Sequence, residues 1–295
     1  MKESVLTSVV LPLSLFLIML GMGLSLTLDD FKRILKVPQS AAVGLLCQLV
    51  LLPVTALGLI YAFQMTGPLA VGVMLIAACP GGVTSNLITH VSRGDTALSI
   101  TLTAITSFVT VLTIPLIVSA SISHFMSVEQ QIEMPVLKTI GQIVAITILP
   151  VSMGMLVRKF KLNLAERLER PSRIASSVIF ALILVGIIAA NKETIANNFG
   201  DLAGITIALN LLTMALGYGL ARLVRLSGPQ MRTIAIESGI QNGTLAIVIG
   251  TTILEHQEIP LPGGIYSLVM FITGAAMMFV GARQYKREEQ TPGAA

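Results

Sequence analysis

The sequence predicts an all-α polytopic membrane protein of nine transmembrane helices, built as inverted repeats around two broken, crossing helices in spans 3 and 8. Three observations carry this reading. The chain of 295 residues is 54% hydrophobic and only 12% charged, whereas a soluble domain carries about 25% charged residues. Apolar runs of about 20 residues, the length that crosses a bilayer, recur along its whole length. Two of those runs are interrupted near their middles by glycine or proline together with polar side chains.

The spans are expected at about 5–27, 40–63, 68–92, 95–121, 135–157, 173–191, 200–224, 230–254 and 261–282. The run from Val5 to Thr27 exceeds an ordinary signal-peptide core and no small-residue cleavage site follows it, so it reads as a retained first span. Short loops leave a single membrane domain, 1–295. The longest, Arg158 to Arg173, reads as an amphipathic connector.

Lysine and arginine set the orientation. Sixteen fall after spans 1, 3, 5, 7 and 9, against Lys2, Lys138 and Lys192 on the other side. The N-terminus is therefore expected outside and the C-terminus in the cytoplasm. The net charge of +4 is a topology signal, and a nucleic-acid partner is excluded. Cys47 and Cys79 lie in apolar runs and fit buried free thiols better than a disulfide or metal pair. No HExxH, Walker loop or G-x-S-x-G elbow is present. Asn242-Gly243-Thr244 matches a glycosylation pattern, but its place inside a span argues against that use.

Span 8 is the centre of the argument. Glu237, Gln241 and Asn242, with Gly239 and Gly243, interrupt it. An acidic residue at mid-membrane costs roughly 2.5–3.5 kcal/mol and is usually functional. Span 3 carries Pro80-Gly81-Gly82 followed by Val83, Thr84, Ser85 and Asn86. Proline removes a backbone donor, and Ser85 and Asn86 offer oxygen to a hard cation. An offset of five spans places the two breaks in oppositely directed helices, the pattern of a substrate site between inverted repeats. The two breaks are expected to be non-helical over Pro80–Gly82 and Gly239–Gly243, and adjacent. In span 4, Ser99, Thr103, Thr106 and Thr110 share one helix face, which serves either ion binding or helix–helix adhesion. Gln48 is a lone amide in span 2. Val83, Thr84 and Asn242, beside a half-helix N-terminus, are expected to bind an anion.

Pro80-Gly81-Gly82-x-x-Ser85-Asn86 in one broken helix and Glu237-x-x-x-Gln241-Asn242 in the other resemble the bile acid:sodium symporter family. Gly21-Met22-Gly23-Leu24 before Asp30-Phe31, and Pro262-Gly263 opening the last span, also resemble it, over about residues 15–285. The resemblance implies a core domain (about 40–121 and 200–283) holding the crossing helices, and a panel domain (about 5–27 and 135–191). It implies two Na⁺ sites. One would use Ser85, Asn86, Ser99, Thr103 and Glu237. The other would use Gln48, Glu237 and Gln241, with backbone carbonyls at Ser238 and Ile240. Ten-span bacterial members carry an extra N-terminal helix that this chain lacks, and the wall around Met270-Phe271 is apolar where bile-acid-handling bacterial relatives are often polar, which puts bile acid itself in doubt.

The expected function is sodium-coupled symport of a small organic anion by alternating access, in a bacterial inner (plasma) membrane. The alternative is a proton-coupled or exchange carrier with Glu237 as the titrating group. An intramembrane enzyme would need a nucleophile–base pair or metal set at membrane depth, and Glu237 has no His or Cys beside it in sequence.

Overall fold

A computed structural model of the chain describes residues 11–127 and 134–290. Residues 5–10 of the expected first span lie outside them. Among the described residues every regular element is helical.

α1 (Leu11–Ser25) is followed by α2 (Leu28–Lys32) and a 3₁₀ turn, Arg33–Leu35. The chain bends by 74° between Leu11–Ser25 and Leu28–Leu35. Asp30 fixes the bend, because its carboxylate accepts from both the N–H and the hydroxyl of Thr27, each at 2.7 Å. α3 (Pro38–Ala62) crosses next. α4 (Gly67–Ala78) and α5 (Val83–Val91) form the expected broken third span, bent by 59°. α6 (Thr96–Phe125) is capped by the Asp95 carboxylate on the Leu98 N–H at 3.0 Å. α7 (Val136–Phe160) and α8 (Leu162–Ala190) follow, then the short α9 (Lys192–Asn197) and α10 (Phe199–Leu223). The expected eighth span is two short helices, α11 (Gly228–Gly239) and α12 (Gly243–Val248), the latter widening into a π turn, Ile249–Ile253. α13 (Pro260–Gln290) ends the described chain.

Among the described residues six helices are long and apolar enough to cross a membrane, or up to eight if each of the two bent pairs, α1 with α2 and α4 with α5, is one span. The connector expected between Arg158 and Arg173 is instead helical almost throughout. α7 runs to Phe160 and α8 starts at Leu162. Nothing between Leu162 and Val185 stops a helix except Pro171, and one proline removes a single hydrogen bond and clashes with one preceding carbonyl.

Two π turns precede prolines. Cys47–Leu51 lies before Pro53 in α3, and Val144–Ile148 before Pro150 in α7. Proline supplies no N–H to the preceding turn, and the wider turn accommodates that gap. Gln48 sits inside the first of these turns and is thereby aimed inward. α4 is buried from Ala70 to Ala78, the signature of a helix surrounded by others. It packs on α6 and α13. α1 packs most closely on α7 and α8. Gly23 and Gly154 let the backbones of α1 and α7 touch there, since a Cβ on Gly154 would lie 2.7 Å from the Gly23 carbonyl carbon.

Gly154→Ala is therefore expected to lower stability by about 1–3 kcal/mol through overpacking. Gly141→Ala, on the same helix with open space around it, is expected to leave stability unchanged or slightly raised. Thermal unfolding of the two purified variants in detergent checks both.

Candidate functional site

The two broken spans clasp one another. Residues 79–82 and 240–242 leave the helix, while Gly239 and Gly243 are the last and first residues of α11 and α12. The second break is thus narrower than the sequence suggested, with the glycines flanking it. They are needed for close approach: a Cβ on Gly239 would overlap Met214, and one on Gly243 would overlap Ser267.

Carbonyls released by the breaks find donors inside the protein, as they must where lipid offers none. The Asn242 N–H donates to the Pro80 carbonyl at 2.8 Å, joining the breaks directly. The Ser85 hydroxyl donates to the Gly82 carbonyl at 2.7 Å. The Gly239 carbonyl accepts from Asn210 Nδ2 at 2.7 Å and from the Tyr266 hydroxyl at 2.8 Å. Asn242 Oδ1 caps α12 by accepting from the Leu245 N–H at 3.0 Å. Gly81 admits the centre of the site, since a Cβ there would lie 2.8 Å from Glu237 Oε2.

Glu237 is completely buried. Its Oε1 accepts from the Ser99 hydroxyl at 2.5 Å. Its Oε2 accepts from Thr103 Oγ1 at 3.0 Å and Gln48 Nε2 at 3.2 Å. Asn86 Oδ1 reaches the same two hydroxyls, 2.7 Å from Ser99 Oγ and 3.4 Å from Thr103 Oγ1. Ser85 Oγ lies 3.4 Å from Thr103 Oγ1. Among the described residues no basic side chain pairs with Glu237. A buried carboxylate without a counter-charge is costly, and here only neutral donors surround it.

A second group of oxygens adjoins the first. Gln48 Nε2 donates to the Glu237 carbonyl at 2.8 Å. Gln241 Nε2 donates to the carbonyls of Glu237 and Ser238, at 3.2 and 3.0 Å. The oxygens of both amides, Gln48 Oε1 and Gln241 Oε1, are buried with no hydrogen-bond partner. Ile240 is fully buried within the break. α3, α5, α6 and α11 with its break therefore bring together eight of the nine residues singled out for ions, Gln48, Ser85, Asn86, Ser99, Thr103, Glu237, Ser238 and Gln241, and Ile240 lies in the same break beside them. The Ser/Thr face of α6 divides, however. Thr106 bonds back to the Leu102 and Thr103 carbonyls of its own helix rather than to Glu237, because α6 runs on past the crossing.

A cavity of about 350 Å³ touches the crossing. Val83, Thr84 and Asn242, the three residues expected to meet an anion, line it with Gln241 and Thr244. Its other walls are mostly apolar, from Met19 and Met22 of α1, Phe180 of α8, and Met270 and Phe271 of α13. Cys47 and Cys79 are buried free thiols, as expected.

Sequence reasoning missed Asn210 and Tyr266, which hold the freed Gly239 carbonyl. Asn210 carried a usable signal, a lone carboxamide inside an apolar run, of the same kind that drew notice to Gln48. Tyr266 carried none, because its hydroxyl finds Gly239 only through the packing of α13 on α11.

A model of the Sodium Bile acid symporter family matches residues 12–198 of this chain. The chain belongs to that family. A Bacillus subtilis protein named Uncharacterized sodium-dependent transporter YocS is 26% identical over 273 residues, covering 92% of this chain and 83% of the relative. The Ileal sodium/bile acid cotransporter of Homo sapiens is 31% identical over 248 residues, covering 83% of this chain and 70% of the relative. The Probable sodium/metabolite cotransporter BASS2, chloroplastic, of Oryza sativa is 26% identical, covering 88% of this chain but 61% of the longer relative. Membership in this family of transporters and the apolar helices make the chain an integral membrane transport protein.

Tyr266→Phe and Asn210→Leu should each destabilise the fold by about 1 kcal/mol, while the double variant, leaving the buried Gly239 carbonyl without a donor, should lose more than the sum of the two. Thermal unfolding of the three variants in one detergent reads this out.

Proposed function

We propose that this protein is a sodium-coupled symporter that carries a small organic anion across the bilayer by alternating access. The observation that carries the reading is the buried, uncompensated Glu237 carboxylate ringed by neutral oxygen-bearing side chains. Ser85, Asn86, Ser99, Thr103 and Glu237 would hold one Na⁺. Gln48, Glu237 and Gln241, with the carbonyls of Ser238 and Ile240, would hold a second. The two orphaned amide oxygens support this second site. A half-turn of each terminal amide exchanges nitrogen for oxygen, which would turn Gln48 and Gln241 Oε1 toward the Glu237 and Ser238 carbonyls that their nitrogens now contact. That makes an all-oxygen cage, the preference of a hard cation. A proton on Glu237 would neutralise the charge but leave Gln241 Oε1, which faces no side-chain donor, unpartnered, so the proton-coupled alternative fits less well.

The anion would sit in the adjoining cavity on Val83, Thr84 and Asn242. The N-terminus of α5 supplies partial positive charge there. Two cations beside one carboxylate leave a net positive centre, and this couples anion to sodium. In this reading the chain makes nine crossings as two inverted repeats, with its N-terminus outside and its C-terminus in the cytoplasm of a bacterium. α3 to α6 and α10 to α13 form the core that carries the site, and α1, α7 and α8 form the panel against which it moves. The family relatives named sodium-dependent transporters and cotransporters support the coupling ion.

Glu237→Gln keeps shape and one oxygen but removes the charge. The reconstituted variant is expected to fold and to lose both Na⁺-dependent thermal stabilisation and Na⁺-driven accumulation. Concentrative, sodium-dependent uptake by this variant would refute the reading. A proton bound at Glu237 removes the charge that attracts Na⁺, so apparent Na⁺ affinity should fall as pH is lowered. Sodium titrations of the wild type across pH measure this.

Asn242→Asp separates the two ligands. It keeps the oxygen that caps α12, which Asn242→Ala would lose at about 0.5–2 kcal/mol, and it places a negative charge against the anion. Anion affinity should drop at least about tenfold, a 1.4 kcal/mol loss, with Na⁺ binding retained. Parallel loss of both would show that Asn242 serves the ions instead.

A further inference from the structure

A second cavity, of about 1020 Å³, shares no lining residue with the one beside Glu237. It is bounded by the α1–α2 bend, by α6, by α7 and by Leu162 at the start of α8. Phe31 and Phe108 meet there edge to face, with ring centroids 5.4 Å apart. Leu28, Ile105, Val109 and Leu156 continue the apolar lining. Three cationic side chains, Lys32, Arg158 and Lys159, line the same space, against one carboxylate, Asp29.

Two of these cations have acidic partners and the third, among the described residues, does not. Asp29 is taken up by Lys32 at 3.2 Å. Arg158 donates to the Leu24 carbonyl at 2.8 Å and lies 3.9 Å from Glu169. Lys159 has no acidic partner among the described residues; its ammonium lies 5.4 Å from the Phe160 ring. A purely hydrocarbon occupant would leave the Lys159 ammonium unanswered. A soluble anion would leave the long apolar lining against water. An anionic phospholipid answers both, because its headgroup is drawn to clustered Lys and Arg at a membrane surface while its chains fill apolar space.

We propose that this recess binds an anionic glycerophospholipid. Its phosphodiester lies between Lys32 and Lys159, with Arg158 behind, and one acyl chain follows Leu156 and Val109 to the Phe31–Phe108 pair. α6 and the first half of α7 touch directly; at the recess the lipid bridges α6 to the Leu149–Phe160 half of α7, so membrane composition acts on that part of the contact.

The chain contains no tryptophan, so a single introduced one reports on its surroundings alone. Leu156→Trp places the reporter in the recess. Leu212→Trp places a control on α10, where Leu212 is also exposed. Each variant is reconstituted as the full chain in phosphatidylcholine vesicles, and quenching is titrated with brominated phosphatidylglycerol and brominated phosphatidylcholine. The expected result is about a fivefold preference for phosphatidylglycerol at Leu156→Trp, none at Leu212→Trp, and loss of the preference when Lys32→Gln and Lys159→Gln are added. Equal preference at both reporters would overturn the proposal, as would its survival in the lysine variant. Relief of quenching by soluble glycerol 3-phosphate would assign the recess to a free anion instead and equally overturn it. Should the lysine variant fail to fold, the comparison of the two reporters decides alone.

Discussion

The fold is arranged around one buried carboxylate that no cationic side chain among the described residues answers. Glu237 lies in the interior of the helix bundle, and its oxygens are met by the hydroxyls of Ser99 and Thr103 and the amide of Gln48. These donors come from α6 and α3, and the carboxylate comes from α11, so three elements converge on it. Neutral donors lessen the desolvation of a carboxylate without cancelling its charge. Two unpartnered amide oxygens beside it deepen the same imbalance. The site is short of positive charge and has an excess of acceptor oxygen, the donor chemistry that suits a hard cation.

Placing that carboxylate requires two helices to unwind where no water can satisfy their backbones. The solution is mutual. One break accepts a hydrogen bond from the other through Pro80 and Asn242, and Asn210 and Tyr266 cover the carbonyl of Gly239. Glycine at 81 admits the carboxylate itself, and glycine at 239 and 243 admits side chains of α10 and α13. The irregular backbone is thus buried in protein and lines a cavity, the conditions under which a membrane fold tolerates it. The same irregularity brings a half-helix N-terminus to the cavity wall, so the device that gathers the oxygen cluster around Glu237 also shapes the adjoining cavity.

The wider architecture keeps this centre in place by packing small residues. α4 is surrounded on all sides, and α1 meets α7 at a glycine contact close enough for backbone to touch backbone. A π turn ahead of Pro53 carries Gln48 inward. Proline, elsewhere a helix breaker, here sets the angle from which one side chain of the site arrives.

The sequence by itself determined the class of the protein and the chemistry of its centre. Length, apolar periodicity and the low charge content dictate membrane helices. A carboxylate with two carboxamides inside one apolar run, and Pro-Gly-Gly before Ser85 and Asn86 inside another, mark the candidate site, because such residues are costly inside an apolar span. Residue type and local spacing suffice for those inferences. Other features depend on which helices become neighbours. That Gln48 reaches Glu237 while Thr106 turns back on its own helix, that Tyr266 and Asn210 share the Gly239 carbonyl, and that Arg158 to Arg173 folds into α7 and α8 were decided by tertiary structure. The reason is that a hydrogen bond between residues 189 positions apart, such as Gln48 to Glu237, has no trace in local sequence. It exists only once packing has brought α3 against α11.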